Sequence, residues 1–229
     1  MIISKLKKEI TSSDYIFKDV VVCGKKVNLI FNEVLTDSGS INEFLYYLLT
    51  KVSKSDLKKF NFKIPNSNSI IIKYDDIINY LNLGYVIIIY KNIYAIEIKS
   101  HDGRGVQTIN SELSIGGAKD SFCENINTNL SLIRKRIKRD LIVRSLNIGR
   151  ISKTKVEVLS VSHIVSNDLV NSVVERLKKI DIDGIMDSSY LKFSLEDGKN
   201  LFPTIMMSER PDKCSMALLE GKIVILVEN

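Results

Sequence analysis

Two similar stretches, LNLGYVIIIYKN (residues 81–92) and LLEGKIVILVEN (residues 218–229), indicate the fold most directly. Each has a leucine, a glycine, a run of branched apolar residues and a final asparagine. Each follows a helix-length segment that opens with an N-cap type of residue, Asp75 in the first and Asp212 in the second. Glycine suits the left-handed conformation that ends many helices, and the apolar run after it is strand-length. Both stretches therefore predict a short helix, a glycine C-cap and a strand.

The repetition extends toward the N-terminal side of each stretch. KVNLIFNEVLTDSGSINEFLYYLL (residues 26–49) parallels KVEVLSVSHIVSNDLVNSVVERLK (residues 155–178), and both patterns predict a strand, a polar turn and an amphipathic helix. The offset is 129 residues here (155 − 26) and 137 between Gly84 and Gly221 (221 − 84), so the second copy has 8 additional residues (137 − 129). A loop absorbs such an insertion at small entropic cost. We predict an α/β fold of two small subdomains with similar strand–helix order; chance similarity of strand–helix segments is the alternative.

A polar, glycine-rich segment at residues 100–121 is the predicted connector between the subdomains. We place the N-terminal subdomain at residues 1–110 and the C-terminal subdomain at residues 111–229. After the connector, SFCENINTNLSLIRKRIKRDL (residues 121–141) predicts a long helix. Its apolar residues share one face: Phe122, Ile126, Leu130, Ile133, Ile137 and Leu141.

The composition indicates a folded protein of a reducing compartment. Hydrophobic residues make up 45% and charged residues 26% of the 229 residues, which is ordinary for a globular chain. No stretch approaches the roughly 18 apolar residues of a membrane span, and we expect no secretory signal at the start. The three cysteines form no C-x-x-C pair, so neither a disulfide framework nor a zinc site is expected.

Residues that could carry catalysis are few. His101 and His163 have no second ligand at metal spacing, and a solvent-exposed or structural role is the better interpretation of both. The segment GGAK (residues 116–119) precedes the predicted helix but does not satisfy the phosphate-loop pattern G-x-x-x-x-G-K-[ST]. Asp181 and Asp183 could pair as carboxylates, yet a solvated turn is favoured. We therefore predict no enzyme activity, no catalytic residue, no metal and no cofactor.

The net charge of +6 is concentrated in IRKRIKRDLIVR (residues 133–144). Arg134 and Arg136 border the apolar stripe of the predicted helix, so their guanidinium groups can reach fixed partners. Nucleic-acid binding is not favoured, because no aromatic residues are interleaved with the basic ones. Structural ion pairs or a basic patch close to a membrane are favoured instead. Our hypothesis is that Glu209 or Asp212 pairs with Arg134 or Arg136.

Six motifs occur in an order that resembles the A subunits of spore germinant receptors, the GerA family. They are ENINTNLSLIRKRI (124–137), GRISKTKV (149–156), VVERLKKIDID (173–183), FPT (202–204), ERPD (209–212) and LLEGKIVIL (218–226). The resemblance is close over residues 111–229 and loose before them. Six motifs in register are specific, whereas any one of them would be weak.

The resemblance implies the N-terminal domain of a membrane protein of the spore inner membrane, on the cytoplasmic side that faces the spore core. A transmembrane part would follow it, and the full-length protein would assemble with B and C subunits. The expected function is non-enzymatic: receptor assembly and transduction of the nutrient signal that triggers germination. The alternative is a binding module for a small-molecule germinant with a cleft between the subdomains. Its candidate ligand-binding residues are Arg134, Arg136 and Arg210.

Overall fold

A computed structural model describes residues 2–59, 69–98, 107–108, 120–196 and 203–228. The chain divides into two units, Met1–Gly103 and Arg104–Asn229. Most of the predicted connector, and with it the predicted boundary between residues 110 and 111, lies outside the described residues.

The first unit is a five-stranded antiparallel sheet with helices on both faces. Its described elements are α1 (Ile2–Glu9), β1 (Tyr15–Val22), β2 (Lys25–Asn32), α2 (Ser38–Thr50), α3 (Lys54–Lys59), β3 (Ser69–Ile71), a 3-10 turn (Tyr74–Asp76), α4 (Ile77–Asn82), β4 (Tyr85–Ile89) and β5 (Ile93–Glu97). The strand order is β1-β2-β4-β5-β3, and every neighbouring pair is antiparallel.

Alternation along β2 divides the core of this unit into two layers. Leu29 packs with Phe44 and Leu48 of α2 on one face of the sheet. Ile30 points to the other face and packs with Leu6 of α1 and Ile77 of α4. Successive side chains of a strand point to opposite faces, so a strand that is apolar at consecutive positions requires helices on both sides.

The second unit is built on a three-stranded antiparallel sheet of order β10-β9-β8. Its described elements are β6 (Gln107–Thr108), β7 (Asp120–Ser121), α5 (Ile126–Arg136), β8 (Leu141–Ile148), β9 (Thr154–Val161), α6 (Asn167–Lys178), α7 (Ser188–Leu195), α8 (Pro211–Leu219) and β10 (Val224–Val227). The short strands β6 and β7 pair with each other.

Helices also cover both faces of the second sheet. Val156 and Val158 of β9 pack with Val174 and Leu177 of α6 on one face. Leu159 is fully buried on the opposite face, where α8 contacts β9 and α5 contacts β10. The sequence of layers is the same as in the first unit, so the mixed α/β fold class is confirmed.

The two sheets also share one register. Leu29 of β2 lies opposite Ile88 of β4, and Val158 of β9 lies opposite Ile225 of β10. These pairs correspond under the two sequence offsets, since 29 + 129 = 158 and 88 + 137 = 225. The insertion in the second copy therefore falls between the strands and leaves their pairing unchanged.

The predicted glycine C-caps are confirmed. Gly84 follows α4 with φ 80° and Gly221 follows α8 with φ 82°, and both values lie in the left-handed region. The predicted N-caps are wrong, because Asp75 lies inside the 3-10 turn and Asp212 lies inside α8. The proline at position 211 fixes the first helical residue, so the cap position before it is extended and α8 begins one residue before the aspartate.

The helix predicted over residues 121–141 is shorter at its N-terminal end than the apolar pattern suggested. Asn125 caps α5, and its side chain accepts a hydrogen bond from the Thr128 N–H at 3.0 Å. Asn129 binds both backbone groups of Cys123: its Oδ1 accepts from the N–H at 2.8 Å and its Nδ2 donates to the carbonyl at 2.6 Å. These bonds hold the chain outside the helix, so Phe122 is not helical.

The C-terminal end of the predicted helix is also wrong. α5 ends at Arg136, and Leu141 is the first residue of β8, opposite Val161. Asp140 has φ 61° and its carbonyl accepts from the Ser162 N–H at 2.8 Å. A left-handed residue cannot continue a helix, and the strand pairing recruits Leu141 into the sheet.

Candidate functional site

Arginine and carboxylate side chains lie on α5, on α8 and on the chain just before each of them, and the two helices contact each other. All of them except Asp120 were singled out from the sequence. We call this set the α5–α8 cluster. Its members are Asp120, Arg134, Arg136, Glu209, Arg210 and Asp212.

Arg136 joins the C-terminal end of α5 to β7. Its Nη2 donates to Oδ2 of Asp120 at 2.6 Å, and its Nη1 donates to the Leu132 carbonyl at 2.8 Å. The side chains of Arg136 and Asp120 are 26% and 21% exposed, so water screens the pair only in part. The second bond gives the Leu132 carbonyl a donor besides the helical N–H, near the helix end where the dipole also favours a cation.

Arg134 is 2% exposed and is among the largest fully buried side chains of the described chain. A guanidinium group out of water is tolerated only when its charge and its donors are compensated, which makes the position strongly constrained. The sequence-based expectation that this side chain lies over the core therefore understated its burial.

Glu209 is tied through its backbone to the chain that precedes α5. Its carbonyl accepts from the Phe122 N–H at 2.9 Å and from the Ser121 hydroxyl at 3.2 Å. These two bonds bring ERPD (residues 209–212) next to the chain that leads into α5, although Ser121 and Glu209 are 88 residues apart in the sequence.

The guanidinium group of Arg210 donates two hydrogen bonds to the carboxylate of Asp212. Nε donates to Oδ1 at 3.1 Å and Nη2 donates to Oδ2 at 2.5 Å. The Arg210 guanidinium is the main reason that the pKa of the Asp212 carboxyl is lowered, and burial opposes it. The extended backbone at Arg210 (φ −101°, ψ 113°) allows the side chain to fold over the first turn of α8.

Two carboxylate–guanidinium pairs are thus seen in the cluster, Asp120–Arg136 and Arg210–Asp212. Neither was proposed from the sequence, and the hypothesis that Glu209 or Asp212 pairs with Arg134 or Arg136 stays a prediction. Asp120 was missed because it stands at the end of the polar connector, where a single acidic residue gives no periodic signal.

A buried carboxylate lies on the face of the second sheet that α5 and α8 cover. Glu157 of β9 is 2% exposed; its Oε2 accepts from the Ser145 hydroxyl at 2.7 Å and its Oε1 lies 3.0 Å from Nζ of Lys155. The same lysine reaches Oδ1 of Asn127 on α5 at 3.4 Å. The signal was available in the sequence, since a glutamate two residues after a lysine in an apolar strand shares its face.

The other candidates for chemistry are in structural positions. Asp183 accepts from Nε of Arg150 at 2.9 Å, Asp181 lies 3.5 Å from the same nitrogen, and both carboxylates are well exposed. His163 has φ 68° in the turn after β9. His101 and the segment at residues 116–119 lie outside the described residues.

A cavity of about 360 Å³ opens on the second unit between α6 and α7. It is lined by Arg176, Lys179, Ile180, Asp181, Ile182 and Ser194. None of the three arginines expected to bind a ligand lines it.

Within the described ranges, no three histidine, cysteine, aspartate or glutamate side chains are grouped so as to hold a metal ion. A separate search of the same residues found no helix with both the length and the apolar character that crossing a bilayer requires. The cluster brings together guanidinium and carboxylate groups: one ion pair joins α5 to β7, and the other lies within the first turn of α8.

Known proteins match this chain over most or all of its length. The family model described as "Bacillus/Clostridium GerA spore germination protein" matches residues 1–229. Spore germination protein GerQA of Bacillus cereus is 26% identical over 224 residues, which is 95% of this chain and 45% of that protein. Spore germination protein XA of Bacillus anthracis is 33% identical over 181 residues, 77% of this chain and 36% of that protein. The chain therefore spans less than half the length of these relatives.

A solved structure shows the same fold. The crystal structure of the N-terminal domain of the A subunit of the Bacillus megaterium spore germinant receptor GerK3 has a TM-score of 0.69 and 28% sequence identity to this chain. The similarity covers 99% of this chain and 89% of the other. The order of elements described above is thus that of a known receptor domain.

Proposed function

The chain belongs to the GerA family of spore germination proteins, and we propose on this premise that it is the N-terminal part of a germinant receptor A subunit. We propose that it acts without catalysis, in assembly of the receptor and in transmission of the nutrient signal that starts germination. The observation that carries the proposal is the agreement, over 99% of the chain, with the fold of the GerK3 A-subunit N-terminal domain.

The geometry of the α5–α8 cluster supports a structural role. Asp120 and Asp212 each bind a guanidinium group at 2.6 Å or less, so neither is poised as a general base. The pair of Asp120 and Arg136 joins β7 to α5, and an ion pair between two elements restrains their relative position. A rigid second unit is what a domain needs in order to pass a displacement from one contact surface to another.

The partners and the location follow from the family and are part of the proposal. The full-length protein would assemble with B and C subunits in the spore inner membrane, with this part on the side of the spore core. The relatives are more than twice as long as their matched segments, which leaves room for a membrane-spanning part elsewhere in the protein.

The direct experiment removes residues 1–229 from the subunit in its own sporulating host. We expect spores that hold normal amounts of the remaining subunit but no longer germinate with nutrient. A matched strain carries Arg150→Met, which removes only the exposed ion pairs with Asp181 and Asp183 and should germinate normally. Normal nutrient-triggered germination by the truncated strain, with receptor levels verified by immunoblot, would refute the proposal.

The alternative, a germinant-binding module that uses Arg134, Arg136 and Arg210, has less support. Arg136 and Arg210 already engage Asp120 and Asp212, so an anionic ligand at either arginine would have to displace a carboxylate. Calorimetric titration with candidate nutrients decides the matter: heat that disappears in Arg210→Met, with Arg150→Met as control, would favour the alternative.

A further inference from the structure

The strand β10 lies at the edge of the second sheet, and no strand in the described part of the chain pairs with its outer side. Its counterpart in the first unit is not at an edge. β4 pairs with β2 on one side and with β5 on the other, and β5 in turn pairs with β3. The two units differ here at a position where their registers are otherwise the same.

The hydrogen-bonding groups on that outer side can be assigned. Glu228 donates its N–H to the Lys155 carbonyl at 3.0 Å. In an antiparallel pair the bonded positions recur every two residues, so Leu226 and Val224 face β9. Ile225 and Val227 therefore direct their N–H and carbonyl groups away from β9. Such a row of groups on an apolar strand is a template for a further strand.

The first unit shows how the position is filled. β4 ends at Ile89, a turn at residues 90–92 reverses the chain, and β5 runs back from Ile93 to Glu97. The Tyr90 N–H donates to the Asn92 carbonyl at 3.2 Å and closes this turn. Under the offset of 137, Asn92 corresponds to Asn229 (92 + 137), and the first residue of β5 corresponds to position 230 (93 + 137).

We propose that the segment directly after position 229 of the full-length protein forms an antiparallel strand on β10, in the place that β5 holds on β4. The relatives are long enough to supply such a segment, because the matched part is 45% of one and 36% of the other. The second sheet then has four strands, and its last hydrogen bonds join this unit to the next part of the polypeptide. This inference concerns only the strand pairing of the second sheet, and it does not depend on the proposed signalling role.

The register of the additional strand follows from the first unit. Ile87 lies opposite Ala95, and both side chains are fully buried. The corresponding pair is Val224 and position 232 (87 + 137 and 95 + 137). Tyr90 and Asn92 are a hydrogen-bonded pair, and bonded pairs in an antiparallel ladder recur every two residues. Ile87 and Ala95, three residues away, are therefore a non-hydrogen-bonded pair, and so are Val224 and position 232. The Cα atoms of such a pair are about 4.5 Å apart. That separation permits a disulfide.

The test is disulfide formation in the full-length protein in membranes. The three cysteines of residues 1–229, and every cysteine elsewhere in the full-length protein, are replaced by serine. Val224→Cys is then combined with cysteine at position 232 or, as the matched control, at position 233. Side chains at 232 and 233 point to opposite faces of the proposed strand. After mild oxidation, mass spectrometry of the peptides should show an oxidised fraction at least about tenfold higher for 232 than for 233.

Two results would overturn the inference. One is equal oxidation at positions 232 and 233. The other is a disulfide between two copies of the Val224→Cys single variant, which would place a second molecule on the edge. Hydrogen exchange of the unsubstituted protein gives an independent readout: residues 224–228 should exchange as slowly as residues 86–90, and exchange at least about tenfold faster would also contradict the proposed strand.

Discussion

A double-mutant cycle on Asp120 and Arg136 tests the reading of the α5–α8 cluster most directly. The variants are Asp120→Asn, Arg136→Met and the double variant. Two unit charges about 4 Å apart attract by about 4 kcal/mol at the effective dielectric of about 20 that suits partly buried pairs. Desolvation offsets much of this attraction, and hydrogen bonds to charged groups contribute about 1.5–3 kcal/mol net. With side chains 26% and 21% exposed, we expect a coupling free energy of about 1–2 kcal/mol.

The single variants should differ in a defined way. Arg136→Met also removes the bond from Nη1 to the Leu132 carbonyl, which Asp120→Asn leaves intact. The arginine variant is therefore expected to lower the free energy of unfolding more than the aspartate variant does. The cycle separates this loss from the coupling between the two charges.

Urea unfolding of the 229-residue chain, followed by circular dichroism, supplies the four free energies. The matched control is the same cycle on Arg150 and Asp183, a pair with an N–O distance of 2.9 Å whose side chains are 63% and 66% exposed. Exposed pairs contribute about 0–1 kcal/mol, so this coupling should be the smaller and should fade in high salt. A coupling for Asp120 and Arg136 no larger than that of the control pair would show that the cluster does not stabilise the unit.

The remaining predictions concern the helix ends and two titrating groups. Gly221→Ala should lower the free energy of unfolding by about 1–2 kcal/mol because φ is 82°, with Gly84→Ala at φ 80° giving a similar loss in the first unit; denaturant midpoints that stay unchanged would contradict this. Folding lowers the pKa of Asp212, so its carboxylate stabilises the fold above the unfolded pKa of about 3.8, and this contribution is lost as the pH falls below that value. Arg210→Met should reduce the dependence of the unfolding free energy on pH in this acidic range. An unaltered dependence would count against the ion pair. Burial first, and then a bond to Glu9, raise the pKa of Tyr74 to about 12, so its contribution should be lost as the pH rises from about 10 to about 12. Tyr74→Phe should remove this alkaline slope, as measured by thermal melts.

Part of the strand–helix order was predictable because apolar periodicity indicates burial: the pattern predicted β2, α2, α4 and β4 and their counterparts β9, α6, α8 and β10. The apolar runs in YVIIIY (residues 85–90) and KIVILV (residues 222–227) indicated strands, and the glycine before each marked a helix end that the φ angles confirm. A local pattern of this kind depends on one element and its immediate environment. It can therefore be recognised without knowing which elements pack against it.

The extent of α5 was not predictable from the same reasoning. Phe122 and Leu141 both fit the apolar stripe of a helix. Phe122 stays outside it because Asn129 binds the backbone of the next residue, Cys123, and Leu141 because it pairs with Val161, 20 residues away (161 − 141). The strand partner decides the conformation of Leu141, and periodicity does not identify partners.

The partners in the ion pairs could be predicted from the sequence only in part, for a similar reason. Arg136 was singled out as a residue that could pair with Glu209 or Asp212. The partner seen in the structure, Asp120, stands 16 residues before it and is brought close by the turn into α5. By contrast, Glu157 could have been found, since a carboxylate between valines in a strand requires a compensating neighbour on its own face.

The pairing of β9 with β10 has a consequence for synthesis of the chain on the ribosome. β9 ends at Val161 and its partner begins at Val224, 63 residues later (224 − 161). At about 5–20 residues per second, the apolar edge of β9 emerges about 3–13 s before the strand that covers it. During that interval the first unit, whose sheet has the same register, is already complete in the nascent chain. Translation speed between α6 and β10 is therefore a variable on which the yield of correctly paired molecules should depend.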